Sequence, residues 1–547
     1  MRITNKMITN NASGNINGNK VLVDKTNTQM TTQKKIARPS ENPVIAIRSL
    51  RLQTTLNKVN QYYEKNIPDA ESWMDVTETA LTNIKDLITS MRTLCVNGST
   101  GTLTEKDRDT ILTQLKALQS QVYAEGNADY AGRTVFTGYR TDKTLTFTED
   151  ESLTRYDISE TNEADSFYRK SYYTKELDIP VTKDDLINDT TANPNALDVE
   201  KTDYYVMRMA YDSIGASSKL SFKVGNATED IDIAGTASQQ PVPGGTNNYA
   251  LSTVTTATLA NPTPIYQFEN EDDWAAVMSG KKEVPDDGIV IVKSTGEVVM
   301  GENVATTLMN NDVKITLDYE KTGFKEGELR PEYYFNCTQY TDKTGAQTSP
   351  SGNGIKFDRF DATTGDAIKY EIQYTVSQNQ ELTVNMEANE CFDHNIYQDM
   401  GDMLEIVHRS VPAHNRLDKI KTMMASDEYS SEECQAKLNV WLDLAQKECD
   451  YADDNMQKSY SRILGNVDGY LEDINLSITK MGCRGDQLAI TKTRMNNQQQ
   501  TVEELQSTND DMDLSDIIIK YTAAYTAYQS SLTAAGKLGQ QTLLNYI

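Results

Sequence analysis

The sequence predicts a chain that is mainly α-helical at both ends, a long coiled-coil-like hairpin, with a large β-rich domain inserted in its middle. Three observations carry this. Apolar residues recur at alternating steps of three and four near both ends. That period vanishes over residues 141–394, where β-branched and aromatic residues alternate instead. Charge follows the same division: of the formal net −27, residues 141–394 hold −23, from 44 acids and 21 bases, whereas residues 1–51 carry nine bases and two acids. At 547 residues the chain exceeds one ordinary core, so several domains are expected.

The first element is an arm rich in Asn and Thr with a weak apolar stripe, Ile3, Met7, Leu22 and Met30. Such a helix is marginal alone and is expected to order only in an assembly. The stretch "KKIARPSENP", Lys34 to Pro43, follows. Pro39 and Pro43 push their preceding residues out of the α region, which predicts an extended joint between two helices. Ser40 is the expected cap of the next helix, with Pro43 in its first turn.

Beyond the joint runs one long seam: Leu56, Val59, Tyr63, Asn66, Ala70, Trp73, Thr77, Ala80, Ile84, Leu87, Met91 and Leu94. Asn66 on that seam is expected to fix register, and Pro68 to kink or split the helix near Asn66–Ile67. In the middle, "SKLSFKVG", "GIVIVKSTGEVVMG", "VKITLDYE", "IKYEIQYTV" and "ELTVNMEA" read as strands. "QQPVPGGTNNYALSTVTTATLANPTP" reads as a long exposed loop, and "YYVMRMAYDSI" as an ambiguous helical patch.

Residues 395–510 read as helix again, with a helical run ending at Gly482. The last element starts at "Asp513-Leu-Ser-Asp", an N-cap with early acids. Leu514, Ile518, Tyr521, Tyr525, Tyr528, Leu532, Ala535, Gly539, Thr542 and Tyr546 repeat the seam, and Ile517, Ala524 and Leu538 widen it. A lone helix cannot bury this stripe, so it needs a partner helix from the same chain or from a neighbouring one. The terminal helices are expected to be mobile in the isolated chain.

Catalytic signatures are missing. The three histidines, His394, His408 and His414, lack the i, i+4 spacing of a helical metal site. No phosphate-binding or dinucleotide loop and no nucleophile elbow occurs. The pairs Asp272/Asp273 and Asp453/Asp454 read as solvated surface acids. The six cysteines form no CxxC pair and read as free thiols. The reading is a non-enzyme with no cofactor and no metal. The acidic balance argues against nucleic acid, and no apolar run is long enough for a membrane span. The start lacks an apolar h-region, so no cleaved signal is expected.

The opening motif gains a context from four stretches. "KKIARPSENP" resembles the basic-Ile-x-x-Pro-Ser-acid-x-Pro signature of the flagellar hook-associated protein 3 family, the hook–filament junction proteins of the flagellin superfamily. "NIPDAESWMDVTETALTNIKDLITSMRTL" looks like that family's "N…A..WL..TE.AL" helix. "GNADYAGRTVFTGYRTD" is similar to its "N..Y.G.YLFSG..T" segment, at Asn127, Tyr130, Gly132, Phe136 and Gly138. "QSSLTAAGKLGQQTLLNYI" resembles its closing helix. Flagellins themselves usually carry "SG.RIN.A.DDAAG" at the joint and end in "SLL" plus a basic residue; this chain departs from both. Its insert is larger than the family pattern.

The resemblance implies a flagellin-like multidomain fold. Its parts would be a terminal helical polymer core (1–43 with 505–547), an antiparallel rod (44–140 with 395–504) and a β-rich variable outer domain (141–394), with one or two subdomains. It implies a structural adaptor between hook and filament, exported by the flagellar type III route and located on the extracellular flagellum. The implied partners are copies of itself, another hook-associated protein on the hook side, flagellin or the next hook-associated protein on the filament side, and an export chaperone. The alternatives are a flagellin filament subunit, or an adhesin or enzyme seated in the insert. The assembly contact is assigned to Ile3, Met7, Ile517, Ile518, Tyr521, Tyr525, Tyr528, Leu532 and Leu538.

Overall fold

The computed structural model describes residues 5–540 apart from 100–104, 164–165, 174–176, 178, 189–200, 216–218, 225–226, 233–237, 246, 255–258, 260–262, 279–281, 311–312, 342–353 and 362–364. Long helices open the chain, a β-rich region follows, and helices close it. The chain forms two compact units. One comprises Met1–Ser72, Gln373–Thr383 and Cys483–Ile547; the other comprises Trp73–Ile372 and Val384–Gly482.

Helix α1 (Asn5–Thr32) ends at the joint, and α2 (Pro43–Asn60) begins beyond it. The cap of α2 is Asn42, where the sequence suggests Ser40. Pro43 at the first helical position holds Asn42 extended, at φ −151° and ψ 95°. From there the Asn42 Oδ1 accepts from the N–H of Val44 at 3.2 Å and of Ile45 at 3.3 Å.

Pro68 does not break the next helix. The chain widens into a π-helical segment, Gln61–Asn66, and continues as α3 (Ile67–Gly98). The proline lacks an N–H, and the extra residue per turn just upstream absorbs the lost partner. The predicted seam is the buried face: Leu56, Val59, Ala70, Trp73, Thr77, Ala80, Ile84, Met91 and Leu94 are all buried. Thr77 answers its own polarity by donating to the Trp73 carbonyl at 2.9 Å. Asn66 donates from Nδ2 to the carbonyl of Thr375 at 2.7 Å. Its partner is thus a strand edge and not a facing helix, so it is no register device.

Helix α4 (Glu105–Gly126) leads into the β region, which opens with the two-residue strands β1 (Asp129–Tyr130) and β2 (Arg133–Thr134). Two larger sheets follow. The strands are β3 (Glu151–Glu163), β4 (Tyr168–Tyr173), β5 (Lys201–Arg208), β6 (Lys219–Val224), β7 (Ala227–Asp232), β8 (Ser238–Pro241), β9 (Asn248–Val254), β10 (Thr263–Phe268), β11 (Ile289–Val292), β12 (Glu297–Met300), β13 (Lys314–Phe324), β14 (Asn336–Thr341) and β15 (Ile355–Phe357). Short helices α5 (Lys183–Asn188), α6 (Glu271–Val277) and α7 (Glu302–Asn310) interrupt them.

The seven-stranded sheet has the order β4-β5-β12-β11-β10-β9-β8, and the six-stranded sheet β15-β14-β3-β13-β6-β7. All neighbours in both are antiparallel except the parallel pair β10–β11. Tyr172, Val206, Phe268, Trp274, Val290, Val292 and Val299 form a buried core. A last hairpin pairs β16 (Gln373–Ser377) with β17 (Gln380–Thr383).

Two sequence readings of the insert are corrected. "YYVMRMAYDSI" supplies strand β5, not a helix; Val206 and Met207 there are buried. The expected loop over residues 239–264 is the hairpin β8–β9 followed by the start of β10. Its "PGG" makes the turn: Gly244 takes φ +73°, and Val242 N–H donates to the Asn247 carbonyl at 3.0 Å. Thr, Val and Tyr are good strand formers, so low complexity there is β propensity without charge.

After α8 (Ala388–Cys391) come α9 (Asn395–Ala425) and α10 (Glu432–Asp510). Helix α9 runs through Pro412, and α10 runs unbroken through Gly482 to Asp510, the helical limit read from sequence. The acid pairs are not merely solvated. Arg108 donates to Asp453 at 2.8 Å, Lys201 pairs with Asp454, and Asp273 accepts from Asn247 at 2.9 Å. All six cysteines are free, and only Cys483 is exposed. No helix among the described residues is long and apolar enough to cross a membrane, and no group of three or more His, Cys, Asp or Glu is arranged for a metal.

Candidate assembly interface

The terminal segments meet at their joints. Residues 33–35 lie against 510–512: Lys35 N–H donates to the Asp510 carbonyl at 2.7 Å, and Met512 N–H to the Gln33 carbonyl at 2.9 Å. Lys34 and Asp511 form the antiparallel bridge between them, and the Lys34 Nζ lies 2.5 Å from Asp511 Oδ1. Hydrogen bonds from Lys34 and Ser507 hold the Asp511 carboxyl below its ordinary range. Helix α11 (Leu514–Gln540) starts directly after the bridge. Its cap is Asp513, as the sequence suggests, accepting from Ser515 N–H at 2.7 Å.

On one side of the joint, α2 runs beside the end of α10. Ser49 donates to Asp510 at 2.8 Å, Asn509 to the Ile45 carbonyl at 3.2 Å, Gln506 to Gln53 at 2.6 Å and Gln499 to Asn60 at 3.1 Å. Leu56 and Val59 on α2 are buried, as is Val502, which the hydrogen-bond register sets opposite them on α10. The β16–β17 hairpin adds to it: Tyr374 donates to Asp69, and Gln380 to Thr491 at 3.3 Å.

On the other side, α1 and α11 pack as an antiparallel pair, with Asn19 Nδ2 donating to the Ala527 carbonyl at 3.3 Å. The terminal helices are therefore formed and paired within the single chain, where the sequence suggests order only in an assembly. The shielded face of α1 is Ile8, Ala12, Ile16, Asn19, Val23, Thr26 and Met30. That of α11 is Ile517, Tyr521, Ala524, Tyr528, Ser531 and Ala535. Both step by three or four, as a two-helix seam requires. The sequence reading missed most of the α1 face because Ala, Asn and Thr fill positions that a stronger seam gives to Leu. The spacing itself was the signal.

The predicted contact residues divide accordingly. Ile517 is buried against α1, and Tyr521 and Tyr528 are half-buried. Met7, Ile518, Tyr525 and Leu532 are exposed, as are Leu514, Ile519, Val21 and Leu22. Tyr521 and Tyr525 stack, with centroids 6.0 Å apart and rings inclined by 15°. Ile3 and the side chain of Leu538 lie outside the described residues. The seam chosen from sequence is thus mostly the free face of α11. The set taken as its fringe, Ile517 and Ala524, is the one that α1 covers.

Residues 3–141 match the bacterial flagellin N-terminal helical region. This part of the chain is similar to that region. Flagellar hook-associated protein 3 of Escherichia coli strain K12 is 29% identical over 124 residues, 22% of this chain and 38% of that one. Its counterpart in Salmonella typhimurium is 27% identical over 143 residues, 26% of this chain and 45% of that one. The chain thus spans less than half the length of these curated relatives. Among solved structures, a flagellar hook-associated protein from Vibrio parahaemolyticus has a TM-score of 0.33 at 12% identity, covering 86% of this chain and all 100% of that one. Hook-associated protein 3 from Legionella pneumophila gives 0.29 at 10%, covering 84% and 97%. The matched region takes in α1, the joint, α2, α3 and α4, and so includes the whole N-terminal half of the interface described above.

Proposed function

We propose that this chain is a structural subunit of the bacterial flagellum that joins hook to filament, and that the α1–α11 pair is its polymer contact. The observation that carries the reading is the free stripe on α11. Leu514, Ile518, Tyr525 and Leu532 stay exposed although α1 already covers the adjoining face. Burying a large apolar side chain is worth about 1.5–3 kcal/mol, so this row favours a further layer of helices. Neighbouring copies of the chain supply such helices in a ring. A hook-side partner and flagellin or a further hook-associated protein would continue the stack above and below, and an export chaperone would shield the stripe before assembly.

In this reading residues 1–43 with 505–547 form the polymer core, 44–140 with 395–504 the rod and 141–394 the outer domain. The chain acts outside the cell and carries out no chemistry. The matched N-terminal region and the two curated relatives support this reading over that of a surface adhesin.

The test replaces Ile518, Tyr525 and Leu532 together by Asp in cells that depend on this chain for motility. Filaments should be lost from the cells and appear free in the medium, while the purified variant melts like the parent. Normal filament attachment, or a large drop in melting temperature, would overturn the proposal.

A further inference from the structure

We infer that Lys321 and Asp212 join through an intramolecular amide bond, with Glu328 as the proton-transfer group of the reaction. This rests on one buried triad in the insert and stands independently of the flagellar reading.

Lys321 lies on β13 and is 2% exposed, rare for an amine. Its Nζ is 2.9 Å from Asp212 Oδ1 and 3.5 Å from Glu328 Oε1. The Glu328 side chain is buried and Asp212 is half-buried, toward solvent. Aromatic rings close the rest: the amine sits 5.6 Å from the centroid of Tyr211 and 5.3 Å from that of Phe324. Phe147 stacks on Phe324 at 4.5 Å.

The loop carrying Asp212 is held in place from three directions. Ser213 N–H donates to the Lys293 carbonyl at 2.8 Å, Gly215 N–H to the Glu320 carbonyl at 2.7 Å, and Ile214 bridges Lys321 itself. Ser213 takes φ +56°, in the left-handed region that a serine seldom occupies. The neighbouring backbone therefore accepts strain where it places the Asp212 carboxyl on the amine.

The chemistry needs a neutral amine, an electrophilic carboxyl and an acid. In the contact pair, burial pushes Asp212 up, but the Lys321 charge and hydrogen bond outweigh it, and the carboxyl sits below its ordinary range. Transfer of one proton from the ammonium to Asp212 yields the amine and carboxylic acid that the reaction consumes. Burial holds Glu328 above the ordinary carboxylate range, against the pull of Lys321, so it is the member suited to carry a proton.

The Lys321 nitrogen attacks the Asp212 Cγ and a C–N bond forms. Glu328 donates to the carboxyl oxygen as charge develops on it, then relays a proton from the nitrogen to the departing hydroxyl. One C–O bond breaks and water leaves. One amine and one acid become one secondary amide and one water, with no oxidant or reductant involved. Fixed proximity replaces the activation that an amide-forming reaction otherwise needs. A cavity of about 30 Å³, lined by Asp212, Glu328 and Tyr211 among others, has room for the water released. The amide would staple the loop after β5, in the seven-stranded sheet, to β13 in the six-stranded one. No other covalent tie between the sheets occurs among the described residues, since the cysteines are free.

The test is intact-mass spectrometry of the purified full chain. The expected mass is lower than the sequence mass by one water, and a tryptic digest should yield a branched peptide joining the Lys321 and Asp212 segments. K321R, which keeps the charge, and E328Q should both run at the full sequence mass. A parent protein at full mass, with separate linear peptides for Lys321 and Asp212, would overturn the inference; that measurement does not depend on any variant folding. A cross-link that persists in E328Q would overturn the role given to Glu328.

Discussion

Lys34 and Asp511 face each other across an antiparallel bridge that joins the two linkers of the terminal helices, with Nζ 2.5 Å from Oδ1. The joint after α1 and the joint before α11 thus form one structural element, assembled from residues 477 apart in sequence. The two prolines of "KKIARPSENP" keep the first joint out of helix, and Asp513 opens a new helix after the second. Backbone hydrogen bonds then hold the two non-helical stretches to each other.

The ion pair itself is half-exposed on both sides, so it contributes little to stability. Lys34→Ala and Asp511→Ala should each change unfolding free energy by less than about 1 kcal/mol, and a double-mutant cycle should give a coupling of about 0.2–1 kcal/mol that falls in high salt. A coupling well above that range would mean that the pair, and not the backbone, clamps the joint.

Asn42 is the residue on which α2 starts. Asn42→Ala removes the acceptor for two N–H groups and should destabilise by about 0.5–2 kcal/mol, whereas Ser40→Ala should be close to neutral. Urea unfolding followed by far-ultraviolet dichroism separates the two. Equal losses would return the capping role to Ser40.

Much of the helical architecture was legible, because a three-four period survives any tertiary arrangement. The seam from Leu56 to Leu94 is buried almost residue for residue. Which side of α11 meets α1 was not legible. The stripes through Ile518 and through Ile517 share Tyr521 and Tyr528, and neighbouring residues point about 100° apart on a helix. Only the partner decides between them, and α1 presents small and polar residues that carry no hydropathy signal. In the insert, single strands were legible from alternation. The sheet order was not, since pairing β3 with β13 joins Ser159 to Asp318 across a separation that no local pattern encodes. The triad of Lys321, Asp212 and Glu328 was invisible for the same reason.

Asp393 and His394 make a pH-sensitive pair beside the aromatic rings of Phe335 and Tyr334. Burial pushes Asp393 up, but the hydrogen bond and charge of His394, 2.9 Å away, and the N–H of Asn395 bring it down to about 2. A depressed carboxylate stabilises the fold above its ordinary value, and that contribution is lost as pH falls toward 2. Burial pushes His394 down, and Asp393 more than offsets it, so the imidazole ends above 6.5. A raised histidine stabilises the fold below 6.5, and that contribution is lost as pH rises through the folded value. Nuclear magnetic resonance should find the His394 midpoint above 6.5, and Asp393→Asn should lower it, because burial is then opposed only by the charge of Glu160. An unmoved midpoint would rule Asp393 out as the partner.

The last prediction concerns Glu271, at the start of α6, and Arg409 on α9. The Arg409 Nη2 donates to Glu271 Oε1 at 2.8 Å and to Glu405 Oε1 at 2.5 Å, and Lys282 also pairs with Glu271. Burial pushes Glu271 up, yet Arg409, Lys282 and Lys170 together hold it well below the ordinary range. Its charge therefore stabilises the fold above about pH 4.5, the usual glutamate value, and that contribution fades as the medium is acidified further. Arg409→Met leaves a buried carboxylate with one cation fewer. The general loss for such a deletion is about 3–5 kcal/mol; here the lower end applies, because Arg409 is a third exposed and Lys282 remains. Arg409→Met combined with Glu271→Leu should recover part of that loss, since Glu271 is then no longer a buried charge short of a cation, while Glu405 still lacks Arg409 and Lys282 lacks Glu271. Urea denaturation at pH 7 measures all three chains. A single variant within about 1 kcal/mol of the parent would mean that water already solvates the pair, and a double variant as damaged as the single would mean that the side chains act there through packing and not through charge.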